Sequence, residues 1–157
     1  MKIQDPPIEL LQPIVNLFNN GKLQQALSDT SQLLEKFPNS LILCNISGAS
    51  NAGLMQFDDA IERYKKALEI KPDYPEAYYN MGIALKNQGN LDAAIDNYKK
   101  ALDLKPNYVE AYFNMGNLLK DKGDFEAAID SYKKALEIKS DYPEAYYNMG
   151  IALKNQG

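Results

Sequence analysis

The chain has 157 residues, 45% apolar and 24% charged, which is enough for one soluble domain with a sizeable core. Its net charge is −4 with acids and bases interspersed, which argues against a nucleic-acid partner, and it contains no run of about 18 apolar residues that could span a membrane. There is no histidine and only one cysteine, Cys44, which excludes an intrachain disulfide, the commonest general base and the commonest metal ligand.

A step of 34 residues runs along the chain. Prolines recur at Pro38, Pro72 and Pro106, and a period of this size is typical of stacked repeats in which each unit is one supersecondary element. Small and aromatic residues keep the same step: Ala26, Ala60, Ala94, Ala128, Gly48, Gly82, Gly116, Gly150, Tyr64, Tyr98 and Tyr132. The predicted units are 7–40, 41–74, 75–108, 109–142 and a half unit, 143–157.

The first two units depart most from the pattern. In 7–40, Pro13 falls inside the first helix and has no backbone donor. We therefore expect that helix to start late, between Glu9 and Gln12, with Pro13 in its opening turn. The unit 41–74 is partly degenerate, because it replaces the aromatic, large apolar and glycine positions by Cys44, Ser47, Asn51 and Met55.

The unit 75–108 shows the pattern most clearly. Its apolar residues at Tyr78, Met81 and Leu85 share one face of a first helix, and Ala94, Tyr98 and Ala101 share one face of a second. Gly89 stands between them where a helix needs a residue with positive φ, and Pro106 ends the second helix. The unit is predicted to be an antiparallel helical hairpin.

The pattern Y-x-x-M-G-x-x-L, then G, then A-x-x-x-Y-x-x-A, then P resembles the tetratricopeptide repeat, with Tyr where that family often has Trp. The resemblance covers nearly all of the chain. It implies a single all-α domain, 1–157, built as a right-handed superhelical solenoid of nine helices: four antiparallel hairpins and one unpaired helix. It also implies that the first helix of each unit lines a concave groove.

The groove-facing positions implied by the family carry a column of asparagines, Asn80, Asn114 and Asn148. The column resembles the asparagine ladder in the superhelical arm of O-linked N-acetylglucosamine transferases, where such residues grip the substrate backbone. It begins at Asn80, because Ile46 holds the position one unit earlier. The other expected groove residues are Tyr79, Phe113, Tyr147, Ile83, Asn117, Lys86 and Lys120. Two alternatives stay open: the amides satisfy neighbouring helices or water, and the aromatics pack between adjacent units.

The final unit is a first helix without its partner. We expect Tyr146, Met149 and Leu153 to cover the last full unit, and Met149 and Ala152 to be partly uncovered. A self-association surface is predicted at Met149, Ile151, Ala152 and Leu153. The missing second helix leads us to expect that the chain is a fragment of a longer array or a larger protein.

Three functions remain possible at this stage, and none places catalysis in this chain, because neither Cys44 nor any serine has a base available to it. The first is a protein-interaction scaffold that binds a peptide or partner protein in the groove. The second is the substrate-binding arm of a larger multidomain transferase, since the array resembles the N-terminal arrays of bacterial transferases. The third is a scaffold that assembles end to end. A groove that clamps acidic chain termini is disfavoured, because aromatics stand where the leading clamp lysine belongs.

Metals and cofactors are not expected, for want of a ligand cluster or a phosphate-cradling loop. The opening residues lack the apolar run of a signal peptide, and a single cysteine fits a reducing compartment. We therefore expect a cytoplasmic protein.

Overall fold

The computed structural model describes residues 4–157; residues 1–3 of the predicted domain lie outside this range. Within it the chain forms nine α-helices and no β-strand, which confirms the predicted fold class. The helices are α1 (Ile8–Asn19), α2 (Leu23–Lys36), α3 (Leu41–Gly53), α4 (Phe57–Ile70), α5 (Pro75–Asn87), α6 (Leu91–Leu104), α7 (Val109–Asp121), α8 (Phe125–Ile138) and α9 (Pro143–Gln156).

Glycines close the helical hairpins. Gly89 has φ +89°, and the Asn90 N–H donates to the carbonyl of Leu85 at 2.9 Å, as in a Schellman C-cap. Gly21 and Gly123 hold the same role. The degenerate second unit has Met55 at this point with φ +61°, a conformation that costs a non-glycine residue about 1–2 kcal/mol.

The second, third and fourth hairpins are each held by a buried tyrosine set against a glycine. Tyr98 on α6 is fully buried, and a Cβ built at Gly82 on α5 would lie 2.7 Å from its Cε1. A Cβ built at Gly116 would lie at the same distance from Cε1 of Tyr132. The glycines therefore let the two helices approach closely enough to cover the ring.

Stacking joins the hairpins into one continuous core. Each second helix also packs on the first helix of the following unit, so that Tyr64 of α4 clusters with Met81 of α5, and Tyr98 of α6 with Leu118 of α7. Consecutive first helices touch one another directly, and the hairpins stack as a right-handed superhelical solenoid.

The expected late start of the first helix is wrong. α1 begins at Ile8, so Pro13 is its sixth residue and lies inside it. Pro7 is extended, with ψ 149°, and its carbonyl accepts from the N–H groups of Leu10 and Leu11, which fixes the start of the helix there. Ile14 and Leu11 are buried, and their packing offsets the backbone bond that Pro13 cannot make.

Candidate functional site

The asparagine column links consecutive first helices. Each asparagine donates one side-chain N–H to the preceding unit: Asn80 to Asn45 Oδ1 at 3.2 Å, Asn114 to Tyr79 Oη at 2.8 Å, and Asn148 to Asn117 Oδ1 at 2.8 Å. The amides therefore do satisfy neighbouring helices, as one alternative held.

The side-chain oxygens of the same asparagines remain able to accept hydrogen bonds. All three side chains are half-buried. Within residues 4–157 none of their Oδ1 atoms accepts a hydrogen bond. Because the bonded N–H fixes each amide, three acceptors are held at fixed positions along the concave face.

The aromatic column is held by contacts within each unit and with the following one. The Tyr79 ring lies 4.8 Å from that of Tyr108, and the Phe113 ring lies 4.8 Å from that of Tyr142, each at the end of the same unit. Tyr79 also packs against the cluster that contains Leu118, and Phe113 against the cluster that contains Ala152. Tyr79 and Phe113 are half-buried, whereas Tyr147 is 71% exposed.

Ile83 and Asn117 hold equivalent positions with different chemistry. Ile83 packs against the cluster around Tyr98, whose buried hydroxyl has no partner among the described residues. Asn117 instead accepts from the Tyr132 hydroxyl at 2.8 Å as well as from Asn148. Sequence reasoning placed both residues in the groove but did not find these bonds.

Charged side chains flank the two columns. At the C-terminal ends of the first helices, Lys86 is exposed and Lys120 lies 3.8 Å from Asp121. At the opposite ends, Glu76 pairs with Lys105 at 3.3 Å, and the Lys105 ammonium lies 4.2 Å from the centroid of the Tyr108 ring. Each edge therefore carries both an acidic and a basic side chain.

Burial dominates the electrostatics of the tyrosines. It raises the pKa of Tyr79 above its ordinary value, and the Glu110 carboxylate raises it further, while the hydrogen bond from Asn114 acts in the opposite direction. The Tyr79 hydroxyl therefore remains protonated near neutral pH and able to accept from Asn114.

A cavity that is shallow and largely open to solvent lies between α7 and α9. It measures about 370 Å³ and is lined by Phe113, Pro143, Glu144, Tyr147 and Asn148. Two aromatic rings, one carboxylate and one amide thus meet at a single concave site.

The final helix turns a different face to α8 than expected. Tyr146 and Leu153 are about half exposed and do not cover the last full unit, whereas Ala152, expected to be partly uncovered, is fully buried. Ala145, Met149 and Ala152 form the stripe that faces α8, with Ala152 packed against Ala128, Ile129 and Tyr132. Met149 and Ile151 are half-buried. A Cβ built at Gly150 would meet nothing within 4 Å.

The described residues offer little for catalysis. No group of three or more His, Cys, Asp or Glu side chains is arranged there to hold a metal. Cys44 is buried, which raises the pKa of its thiol and disfavours the reactive thiolate. No helix between residues 4 and 157 has the length and apolarity to cross a membrane.

The fold and the groove define an all-helical solenoid built from stacked hairpins. The sequence model described as TPR repeat matches residues 56–89, 84–123 and 116–157, which is more than half of the chain. The protein belongs to the tetratricopeptide repeat family.

Several larger proteins share part of this sequence. The chain is 29% identical over 85 residues to a peroxisomal targeting signal receptor of Candida glabrata, covering 54% of this chain and 14% of the receptor. It is 32% identical over 83 residues to a probable biofilm formation methyltransferase, WspC, of Pseudomonas putida, covering 53% and 20%. It is 32% identical over 76 residues to the probable UDP-N-acetylglucosamine–peptide N-acetylglucosaminyltransferase SEC of Arabidopsis thaliana, covering 48% and 8%. The matched segments therefore span at most about a fifth of these relatives.

Solved structures match over most of the chain. A crystal structure of MamA superposes with a TM-score of 0.84 at 28% identity, covering 90% of this chain and 83% of MamA. YrrB, described as a TPR protein with an unusual peptide-binding site, superposes with a TM-score of 0.77 at 20% identity, covering 96% and 78%. At that identity YrrB shows the fold alone.

Proposed function

We propose that this TPR array is a non-catalytic interaction scaffold that binds an extended peptide segment of a partner protein in its concave groove. The observation that carries the proposal is the row of unpaired Oδ1 atoms on Asn80, Asn114 and Asn148. Each oxygen is held in place by the hydrogen bond that the N–H of the same side chain donates. A peptide N–H can donate to such an oxygen whatever side chain it carries.

The spacing of the row suits an extended peptide. First helices that touch through side chains lie about 8–10 Å apart. An extended chain in the polyproline II conformation advances about 3.1 Å per residue with three residues per turn, so every third residue returns to the same side after about one step. A bound segment would therefore meet one asparagine acceptor at every third residue, with the aromatic column beside it.

The relatives support an interaction role rather than a particular partner. One of them is named as a receptor for a targeting signal. The two named as transferases share only a small part of their length with this chain. Their similarity to this chain therefore supports a recognition module rather than a catalytic centre.

Peptide selection tests the groove directly. Random extended peptides would be selected on the wild-type chain and counter-selected on the Asn80→Ala/Asn114→Ala double variant. Loss of two hydrogen bonds should weaken selected peptides by roughly 1–3 kcal/mol in titration calorimetry. If the selected peptides bind the double variant with unchanged affinity, the asparagine row does not contribute to peptide binding.

Two controls separate binding from stability. Ile95→Val deletes one buried methylene on α6, a second helix, and leaves every asparagine and its partner in place. It should lower stability by about 0.5–1.5 kcal/mol and leave the affinity unchanged. Gln25→Ala deletes an exposed amide on α2, outside the groove, and should change neither quantity.

A second candidate is a substrate-binding arm of a larger transferase. The favouring observation is that a probable methyltransferase and a probable N-acetylglucosaminyltransferase are among the relatives. Sequencing the gene on both sides of this segment tests it: a transferase domain in the same reading frame supports the arm, and an isolated repeat array contradicts it.

A further inference from the structure

The cavity between α7 and α9 has a chemistry that the general groove proposal does not use. Phe113 and Tyr147 supply aromatic surface, Glu144 supplies a carboxylate, and Asn148 supplies the unpaired acceptor described above. Aromatic faces are electron-rich, and together with a carboxylate they attract a cation.

The surrounding charges act in the same direction. Glu110 and Glu144 both raise the pKa of Tyr142, whose ring lies 4.8 Å from that of Phe113, so two carboxylates act on this neighbourhood. The opposing charges are the Lys139 ammonium and the positive end of the α9 dipole, which amounts to about half a charge. The net charge of −4 also favours approach of a basic partner.

The chain itself places ammonium groups on these tyrosines. Lys105 lies 4.2 Å from the Tyr108 centroid and Lys139 lies 4.7 Å from the Tyr142 centroid, one repeat apart. An ammonium group therefore already lies against Tyr142, the ring that packs on Phe113 beside the cavity.

We infer that the cavity receives a lysine or arginine side chain of the bound segment, so that the partner is a basic extended peptide. The inference rests on the proposed function and names the partner's chemistry. The cation lies against Phe113 and Tyr147 and pairs with Glu144, while the peptide backbone donates to Asn148. One repeat earlier the equivalent positions are Tyr79, Phe113, Glu110 and Asn114, which gives a second subsite in register.

Two synthetic probes test the charge requirement. The first is an acetylated, amidated peptide of four Arg-Ser-Gly triplets, which puts a cation at every third residue. The second replaces each arginine by citrulline, which has nearly the same shape and no charge. Each would be titrated into the isotope-labelled chain at physiological salt, with the affinity and the shifted amide resonances recorded.

The arginine probe should shift resonances of residues 143–148 and bind more than about fivefold tighter than the citrulline probe, since several cation–aromatic and ionic contacts add. Glu144→Gln and Tyr147→Ala should each raise its Kd about 2–5-fold. Their controls are Glu126→Gln, which removes an equally exposed charge on α8, and Tyr146→Ala, which truncates the neighbouring exposed tyrosine. Both controls should stay within about twofold of wild type.

Each contrary result has a distinct meaning. Equal binding of both probes in the groove would overturn the cation pocket and leave the peptide groove standing. If Glu144→Gln and Glu126→Gln weaken binding of the arginine probe equally, the overall charge of the chain explains its binding. That result would also overturn the pocket. If neither probe shifts a groove resonance, both the pocket and the proposed function are contradicted.

Discussion

At the scale of single residues, identical sequence does not bring identical constraint. Residues 73–89 and 141–157 have the same letters, yet Gly82 and Gly150 stand in different surroundings. A Cβ at Gly82 would lie 2.7 Å from the buried Tyr98 ring and 3.3 Å from the Ala94 carbonyl oxygen, while one at Gly150 would meet nothing within 4 Å.

Alanine substitution at these two glycines should have opposite effects. Gly82→Ala should destabilise the chain by about 1–3 kcal/mol, because the rigid Tyr98 ring must move. Gly150→Ala should stabilise α9 by up to about 1 kcal/mol through helix propensity alone. Urea denaturation followed by circular dichroism measures both. Similar effects at both sites would show that packing does not distinguish them.

A second contrast concerns the partners of the asparagine column. Asn114 donates to the hydroxyl of Tyr79, but Phe113 offers no hydroxyl to Asn148, which donates to Asn117 instead. The third and fourth units thus solve one hydrogen-bonding requirement with different residues, a Tyr–Ile pair in one and a Phe–Asn pair in the other.

A double-mutant cycle should detect this compensation. Asn117→Ile leaves Asn148 and the Tyr132 hydroxyl without their acceptor and should cost about 1–3 kcal/mol. Adding Phe113→Tyr should restore an acceptor for Asn148 and recover about 1 kcal/mol, giving a coupling of roughly 0.5–1.5 kcal/mol. Strictly additive free energies of unfolding would mean that the two positions do not share the bond.

At the scale of the element, the second helices are defined by their buried tyrosines. Burial raises the pKa of Tyr64, Tyr98 and Tyr132 above the ordinary value of 10.0. The folded chain therefore keeps phenolic protons that the unfolded chain releases. The stability this gives is fully present below about pH 10 and is lost as the pH rises toward the folded pKa values.

Alkaline denaturation should report these helices. Above pH 10, each such tyrosine should lower the free energy of unfolding by about 1.4 kcal/mol per pH unit. Tyr98→Phe should reduce that slope by one group. It should leave stability near neutral pH unchanged or slightly higher, because it deletes a buried hydroxyl that has no partner among the described residues. If Tyr98→Phe leaves the dependence of the free energy of unfolding on pH unchanged, the pKa of Tyr98 is not raised by folding.

The helices themselves could be predicted from the sequence because local signals agree. The 3.6-residue spacing of Tyr78, Met81 and Leu85, the turn at Gly89 and the stop at Pro106 each indicate the same hairpin independently. The prediction at Pro13 was wrong because an earlier residue already starts the helix. Pro7 already presents an extended residue with a free carbonyl, and a buried pair farther on tolerates the missing bond.

The site was less predictable, because its decisive contacts join residues about 35 positions apart. The asparagine column was visible as a 34-residue period, but its bonds to Asn45, Tyr79 and Asn117 depend on how closely consecutive helices approach. The face of α9 was misassigned for the same reason. Tyrosine and leucine are the larger residues, but alanines fit the close approach to α8, so Ala145 and Ala152 are buried and Leu153 is left out.

At the scale of the whole molecule, each unit contacts only its neighbours, so local packing decides local stability. α5 is packed between α4 and α6, whereas among the described residues α9 packs mainly on α8, with a smaller contact to α7. Tyr146, Tyr147 and Leu153 are 52%, 71% and 49% exposed. Exposed aromatic and aliphatic side chains on a terminal helix favour association.

The α9 helix should therefore be the least protected helix of this polypeptide and the place where copies meet end to end. Its amide protons should exchange at least about tenfold faster than those of α5, whose identical letters give equal intrinsic rates. The measurement requires NMR, because identical peptides cannot be told apart by mass. In light scattering over a concentration series, Tyr146→Gln with Leu153→Gln should suppress association, whereas Leu104→Gln, which removes a leucine exposed to a similar degree on α6, should not. Adding a polar capping helix after Gly157 should raise the melting temperature and should also suppress association. Protection equal to that of α5 in a chain that stays monomeric would show that α9 is a sufficient cap by itself.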